Sequence, residues 1–98
     1  MRSEFRRRAV ITGIGAVSPN GIGREAFWEA TRNGVSGVRR ICRFDTSELG
    51  VKVAGEIQNF DEARFVSAKD RPHVSRAAPL AIAAADEALL DAQIDART

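Results

Sequence analysis

Residues 7–21 read Arg-Arg-Ala-Val-Ile-Thr-Gly-Ile-Gly-Ala-Val-Ser-Pro-Asn-Gly, and their reading decides the fold class. Within them, residues 8–12 (Arg-Ala-Val-Ile-Thr) are β-branched and almost wholly apolar after the arginine. Such a run suits a strand buried on both faces, as in parallel sheets. It ends at Gly13-Ile14-Gly15, where a glycine turn would let a central strand exit tightly. Ser18-Pro19-Asn20-Gly21 then carries strong turn chemistry. A strand running into glycines also raises nucleotide binding, which needs a third glycine and an immediate helix. Here Ser18 takes the third position, Pro19-Asn20-Gly21 delays the helix, and Arg39-Arg40 stand where an acidic residue is required. No dinucleotide cofactor is expected.

Outward from this strand, residues 24–33 form the first convincing helix. Glu25 lies in its first turn, where a carboxylate favours the helix dipole. Phe27, Ala30 and Thr31 share a face with Trp28 beside it, and Gly34 follows as a C-terminal cap. Residues 35–48 read as irregular. Val51, Val53 and Ile57 alternate with Lys52, Ala54 and Glu56, the period of a half-buried strand. Gly55 within it implies a bulge or a close backbone approach. Asn59 or Asp61 is placed to cap a short helix reaching Val66. The longest element covers residues 76–92, with Ser75 as N-cap and Pro79 near the edge of the first turn. Seven alanines between Ala77 and Ala88 leave little bulk, so this helix should approach its neighbours closely and lie between layers.

Composition excludes several classes. With 98 residues the chain holds one domain at most, and 44% apolar with 29% charged residues is ordinary globular usage. Formal net charge is +2, from thirteen Arg and two Lys against thirteen carboxylates. The one dense basic run, Arg6-Arg7-Arg8, reads as a solvated lead-in to a strand rather than a nucleic-acid interface. No segment approaches the roughly 20 apolar residues of a membrane span, and no signal-peptide pattern follows the basic start. The expectation is a soluble cytoplasmic protein.

Candidate reactive residues are few. Cys42 is the only thiol, so no intrachain disulfide forms. It lies in an irregular stretch between Arg40 and Arg43 and reads as a small, partly buried apolar residue rather than a nucleophile. His73 is the only histidine, too few for a metal site or an acid–base pair, and reads as a surface or interface residue. Asp86, Glu87 and Asp91 read as the solvated face of the last helix. No residue is assigned a catalytic, cofactor-binding or metal-binding role.

The opening string resembles the start of the β-ketoacyl-[acyl carrier protein] synthases: a basic pair, a short apolar strand, Thr-Gly-aliphatic-Gly, then Ser-Pro-x-Gly. The likeness continues in register. Phe27-Trp28-Glu29 matches that family's aromatic-Trp, Gly34-Val35-Ser36-Gly37-Val38 its Gly-x-Ser-Gly-aliphatic turn, and Phe44-Asp45-Thr46-Ser47 its Phe-Asp-x-Ser. Ala54-Gly55-Glu56-Ile57 with Phe60-Asp61 matches the next strand and turn, and Arg76 with the Ala-rich helix resembles the helix ending in Asp-Ala-Gly. Ser75 stands where the family usually has Asp, Gln93 where it usually has Gly, and Pro79 and His73 are also unusual. These departures point toward a polyketide or specialised-lipid branch.

The resemblance implies a fold, a reaction and partners. The fold is α/β and thiolase-like, two similar halves stacked in five layers, and the enzymes are usually dimers. A cysteine at a strand-to-helix bend takes the acyl chain, and two histidines assist decarboxylation of malonyl carrier protein. Those three residues lie beyond Thr98 in the family, and neither Cys42 nor His73 matches them. Residues 1–98 are therefore expected to be a partial, truncated N-terminal ketosynthase domain, inactive alone. Its partners would be acyl carrier protein and a second subunit, with no nucleic acid and no membrane. Two rivals remain at this level: a non-catalytic chain-length-factor subunit, and a small binding module using Arg6–Arg8, Arg39, Arg40 and Arg43 on an acidic partner.

Overall fold

The computed structural model describes residues 6–95. The chain is α/β, with two small antiparallel sheets and two helices. Strands β1 (Val17–Ser18) and β2 (Gly21–Ile22) form a hairpin with Val17 opposite Ile22 and Ser18 opposite Gly21. Its turn is the Pro19-Asn20 pair that the sequence singles out, and the Ser18 hydroxyl donates to the Gly21 carbonyl at 3.1 Å. Helix α1 follows at once, over Arg24–Arg32, with Glu25 in its first turn. Gly34 holds φ at +68°, the left-handed geometry of a helix stop, and its N–H donates to the Thr31 carbonyl.

Strand β3 (Val38–Arg40) arises inside the stretch that reads as irregular, and pairs with β4 (Val53–Gly55). Val-Arg-Arg has no alternating pattern, so only the complementary segment across the loop reveals it. The register is one-to-one, Val38 with Gly55 and Arg40 with Val53, so Gly55 marks no bulge. It marks a close approach instead: an added Cβ there would sit 2.9 Å from Pro19 Cγ. Asp61 then caps a single 3-10 turn, Glu62–Arg64, its carboxylate accepting the Ala63 N–H at 3.2 Å.

Helix α2 runs over Ala77–Ala92, starting from Arg76 rather than Ser75 and stopping at a left-handed Gln93. Pro79 is the third helical residue, where its missing N–H has no intrahelical duty, and it is buried. The first segment corrects the strand reading. Residues 8–12 are paired with nothing among the described residues, and regular pairing begins only at Val17. Nor do Gly13 and Gly15 form a turn. An added Cβ would lie 2.1 Å from the Ala88 carbonyl oxygen at Gly13, and 1.9 Å from that of Ala84 at Gly15. The segment therefore lies directly on the backbone of α2, a contact only glycine facing alanine permits.

The core is thin. Among the described residues Val66, Pro79 and Ala83 are the buried apolar side chains, and no large side chain is fully buried. One side of α2 is covered by the first segment, while Leu90 on it is 78% exposed. The expectation of a helix between layers is met on that one side only.

Candidate functional site

The richest polar cluster joins the first segment, α1 and α2. Asp91 Oδ2 accepts the Ile14 N–H at 3.1 Å, and Glu87 Oε1 accepts the Ala16 N–H at 2.9 Å. Two residues of extended chain advance about 6.6 Å and four of helix about 6.0 Å, so both repeats coincide. Glu87 also accepts the Arg24 N–H at 2.9 Å through Oε2. Arg24 is the first residue of α1, and the N-cap Gly23 has no side chain to serve it, so a carboxylate on α2 caps α1. The Arg24 guanidinium returns to both acids, 3.5 Å from Glu87 and 3.2 Å from Asp91. These carboxylates are not the solvated face that their sequence reading gives. Asp86 and Asp91 are both exposed and Glu87 half-buried, and of the three only Asp86 has no partner among the described residues. The signal that would have found the pair is the i, i+4 spacing of acids opposite a segment with unpaired amides.

A second cluster centres on Glu62. Its carboxylate pairs with Arg71 at 2.6 Å and with Arg76, whose guanidinium also donates to the Ile57 carbonyl at 3.0 Å. Glu62 is 12% exposed at the side chain, so it ties the 3-10 turn to the start of α2 away from bulk water. Both clusters join elements together, and neither presents a nucleophile.

Cys42 is exposed rather than partly buried, just past β3, its thiol donating to the Arg40 carbonyl at 3.3 Å. Its N–H and that of Arg43 are both held by Glu56, at 2.9 and 3.2 Å. The thiol lines an open groove of about 500 Å³ with Arg43, Gln58, Asn59, Phe60 and Arg76, and His73 is not among the lining residues. His73 sits in an exposed 3-10 turn, Arg71–His73. The structure thus keeps the thiol and the imidazole apart. Arg39, Arg40 and Arg43 are all exposed around β3, as are Arg7 and Arg8. Among the described residues no three of His, Cys, Asp and Glu gather as a metal site, and no helix is long and apolar enough to cross a membrane.

The sequence profile described as "Beta-ketoacyl synthase, N-terminal domain" matches residues 6–98. The chain belongs to the β-ketoacyl synthase family. This ketosynthase chain is 42% identical over 89 residues to the 3-oxoacyl-[acyl-carrier-protein] synthase 2 of Staphylococcus aureus (strain COL), covering 91% of itself and 22% of that protein. A Streptomyces violaceoruber protein named as granaticin polyketide beta-ketoacyl synthase 2 is 35% identical over 94 residues, 96% of this chain and 23% of its own. Among solved structures, the ishigamide ketosynthase/chain length factor superposes with a TM-score of 0.79 at 40% identity, over 92% of this chain and 22% of that one. The ketosynthase chain thus spans roughly a fifth of the length of the relatives it matches.

Proposed function

We propose that residues 1–98 are the N-terminal part of a condensing enzyme, supplying its scaffold and none of its reacting groups. The whole enzyme would elongate an acyl chain carried on a cysteine thioester. Loss of CO2 from malonyl-[acyl carrier protein] leaves an electron pair on the α-carbon. That carbon attacks the thioester carbonyl, a carbon–carbon bond forms, and the carbon–sulfur bond breaks to return the thiolate. The complete body would be the five-layered thiolase-like fold, dimeric and cytoplasmic, with acyl carrier protein as its partner in fatty acid or polyketide synthesis.

The observation carrying this reading is the match of residues 6–98 to the family's N-terminal domain. The open apolar faces agree with it and speak against a small self-sufficient binding module. Purified as 98 residues, the chain should show neither acyl transfer nor malonyl decarboxylation; measurable turnover of either overturns the proposal.

A second reading is favoured by the neighbour named for both a ketosynthase and a chain length factor. A non-catalytic subunit of that kind would share this scaffold. Reading the gene beyond Thr98 separates the two, since a cysteine at the strand-to-helix bend supports the enzyme and its replacement supports the partner subunit.

A further inference from the structure

The sequence holds three asparagines, Asn20, Asn33 and Asn59, and the first two precede glycine. An asparagine side-chain amide closes on the next backbone nitrogen most readily when glycine follows, because no Cβ obstructs the ring and the backbone turns freely. Asn59 precedes Phe60, whose side chain hinders that closure. Two candidates remain, and the fold treats them differently.

Asn20 is half-buried in the turn of the β1–β2 hairpin. Gly21 after it is paired with Ser18, and an added Cβ there would lie 2.8 Å from Ala26. The Asn20 side-chain oxygen lies against Gly37, which is buried. Neither reacting group turns unless α1 or the approach to β3 moves with it. Asn33 stands at the exposed end of α1, and its side chain has no partner among the described residues. An added Cβ at Gly34 would meet nothing within 4 Å. Two bonds hold the helix stop: the Gly34 N–H donates to the Thr31 carbonyl at 3.2 Å, and the Val35 N–H to the Ala30 carbonyl at 2.9 Å. Helix ends fray at little free-energy cost, so the longer of these bonds opens readily and frees the Gly34 nitrogen.

We propose that Asn33 is a site of spontaneous deamidation, converting with time to aspartate and isoaspartate and loosening the stop of α1, while Asn20 is preserved. The Gly34 nitrogen, its proton taken by solvent base, bonds to the side-chain carbonyl carbon of Asn33. The bond from that carbon to the side-chain nitrogen breaks, and the nitrogen leaves as ammonia. Water then opens the cyclic imide. Opening at the side-chain carbonyl gives aspartate on the original backbone. Opening at the main-chain carbonyl gives isoaspartate, with the backbone routed through Cβ and longer by a methylene. Either product puts negative charge at the C-terminal end of α1, where the helix dipole disfavours it. Isoaspartate also shifts Gly34 and Val35 away from the carbonyls that end the helix. The site is independent of the condensing reaction.

The test is peptide mapping by mass spectrometry of the protein carrying this segment, incubated warm in mildly alkaline buffer, native and in guanidinium chloride. In denaturant the peptides holding Asn20 and Asn33 should gain the mass of amide-to-acid exchange at similar rates, and the one holding Asn59 should lag. In the native protein Asn33 should convert at least about tenfold faster than Asn20, the difference between fraying a helix end and opening a packed turn. Hydrogen exchange on the isoaspartate form should then find the Val35 amide exchanging roughly tenfold faster than before conversion. The variant Asn33→Asp carries the charge on an unaltered backbone and should keep most of the Val35 protection. Native Asn20 converting as fast as Asn33 overturns the proposal, as does native Asn33 staying intact while the denatured control converts. Unchanged Val35 protection in the isoaspartate form overturns the loosening of the helix stop.

Discussion

Gly15 and Gly50 separate two uses of the same residue. At Gly15 an added Cβ would lie 1.9 Å from the Ala84 carbonyl oxygen, a backbone atom that moves only if α2 moves, whereas at Gly50 it would meet nothing within 4 Å. Gly15→Ala should therefore destabilise the fold by about 1–3 kcal/mol, and Gly50→Ala by under about 0.5 kcal/mol, in urea denaturation of the protein carrying this segment. Equal costs at the two positions would refute the strand-on-helix contact. A second single-residue prediction concerns Asp45, whose carboxyl is held below the ordinary aspartate range, first by the Ser47 N–H and second by the Ser47 hydroxyl. A lowered folded value means the turn gains from Asp45 above the unfolded pKa and loses that gain as pH falls through the folded one. Because the N–H is the larger cause, Ser47→Ala should leave most of the lowering in place in an NMR titration of the carboxyl. A return to the ordinary value in that variant would show that the hydroxyl does the work. Sequence reading reached the importance of Gly13 and Gly15 but gave the wrong cause. Glycine spacing looks alike whether it serves a turn or a close approach, and the partner helix lies some seventy residues away.

Between elements, the acids of α2 do what neither helix does alone. Helix α1 was legible because its apolar spacing, first-turn Glu25 and terminal Gly34 are local signals. Strand β3 was not, since Val-Arg-Arg becomes a strand only through β4. Glu87 and Asp91 were legible as helix residues but not as caps, because their partners are backbone amides that the sequence never displays. Glu87→Ala removes the acceptor for the Ala16 and Arg24 amides together and should cost about 1–3 kcal/mol, while Asp86→Ala nearby should cost under about 0.5 kcal/mol. Thermal melts of the two variants check this, and similar midpoints would remove the cap from the account. Glu62→Ala leaves Arg71 and Arg76 facing each other without their shared anion. Arg71 is more than half exposed, which screens the repulsion, so the expected loss is about 1–2 kcal/mol and should shrink in high salt.

Taken as a body, the chain exposes more surface than a closed domain of its mass. Its accessible area is 8079 Å² for 10.6 kDa, roughly 1.5 times the ~5,500 Å² of a folded monomer of that mass. The radius of gyration is 18.0 Å, against ~12.6 Å for a compact domain of this length. The excess is apolar where it matters: Val10 and Ile11 are 76% and 83% exposed, and Val51 70%. The sequence reads residues 8–12 as a strand buried on both faces, whereas here they are exposed and pair with nothing among the described residues; covering layers supplied from elsewhere belong to the proposed condensing-enzyme scaffold. Burying Val10 and Ile11 alone would be worth about 1.5–3 kcal/mol each, so the chain by itself should gain cooperativity only when those layers are supplied. X-ray scattering on the isolated polypeptide should accordingly give a radius nearer 18.0 Å than 12.6 Å, with strong binding of an apolar-surface dye and a broad, weakly cooperative melt. A radius near that of a compact domain, no dye binding and a sharp transition would mean that the 98 residues close upon themselves. The first segment and the alanine-dense helix would then have to be covered from within, and the case for a scaffold awaiting the rest of a condensing enzyme would fail.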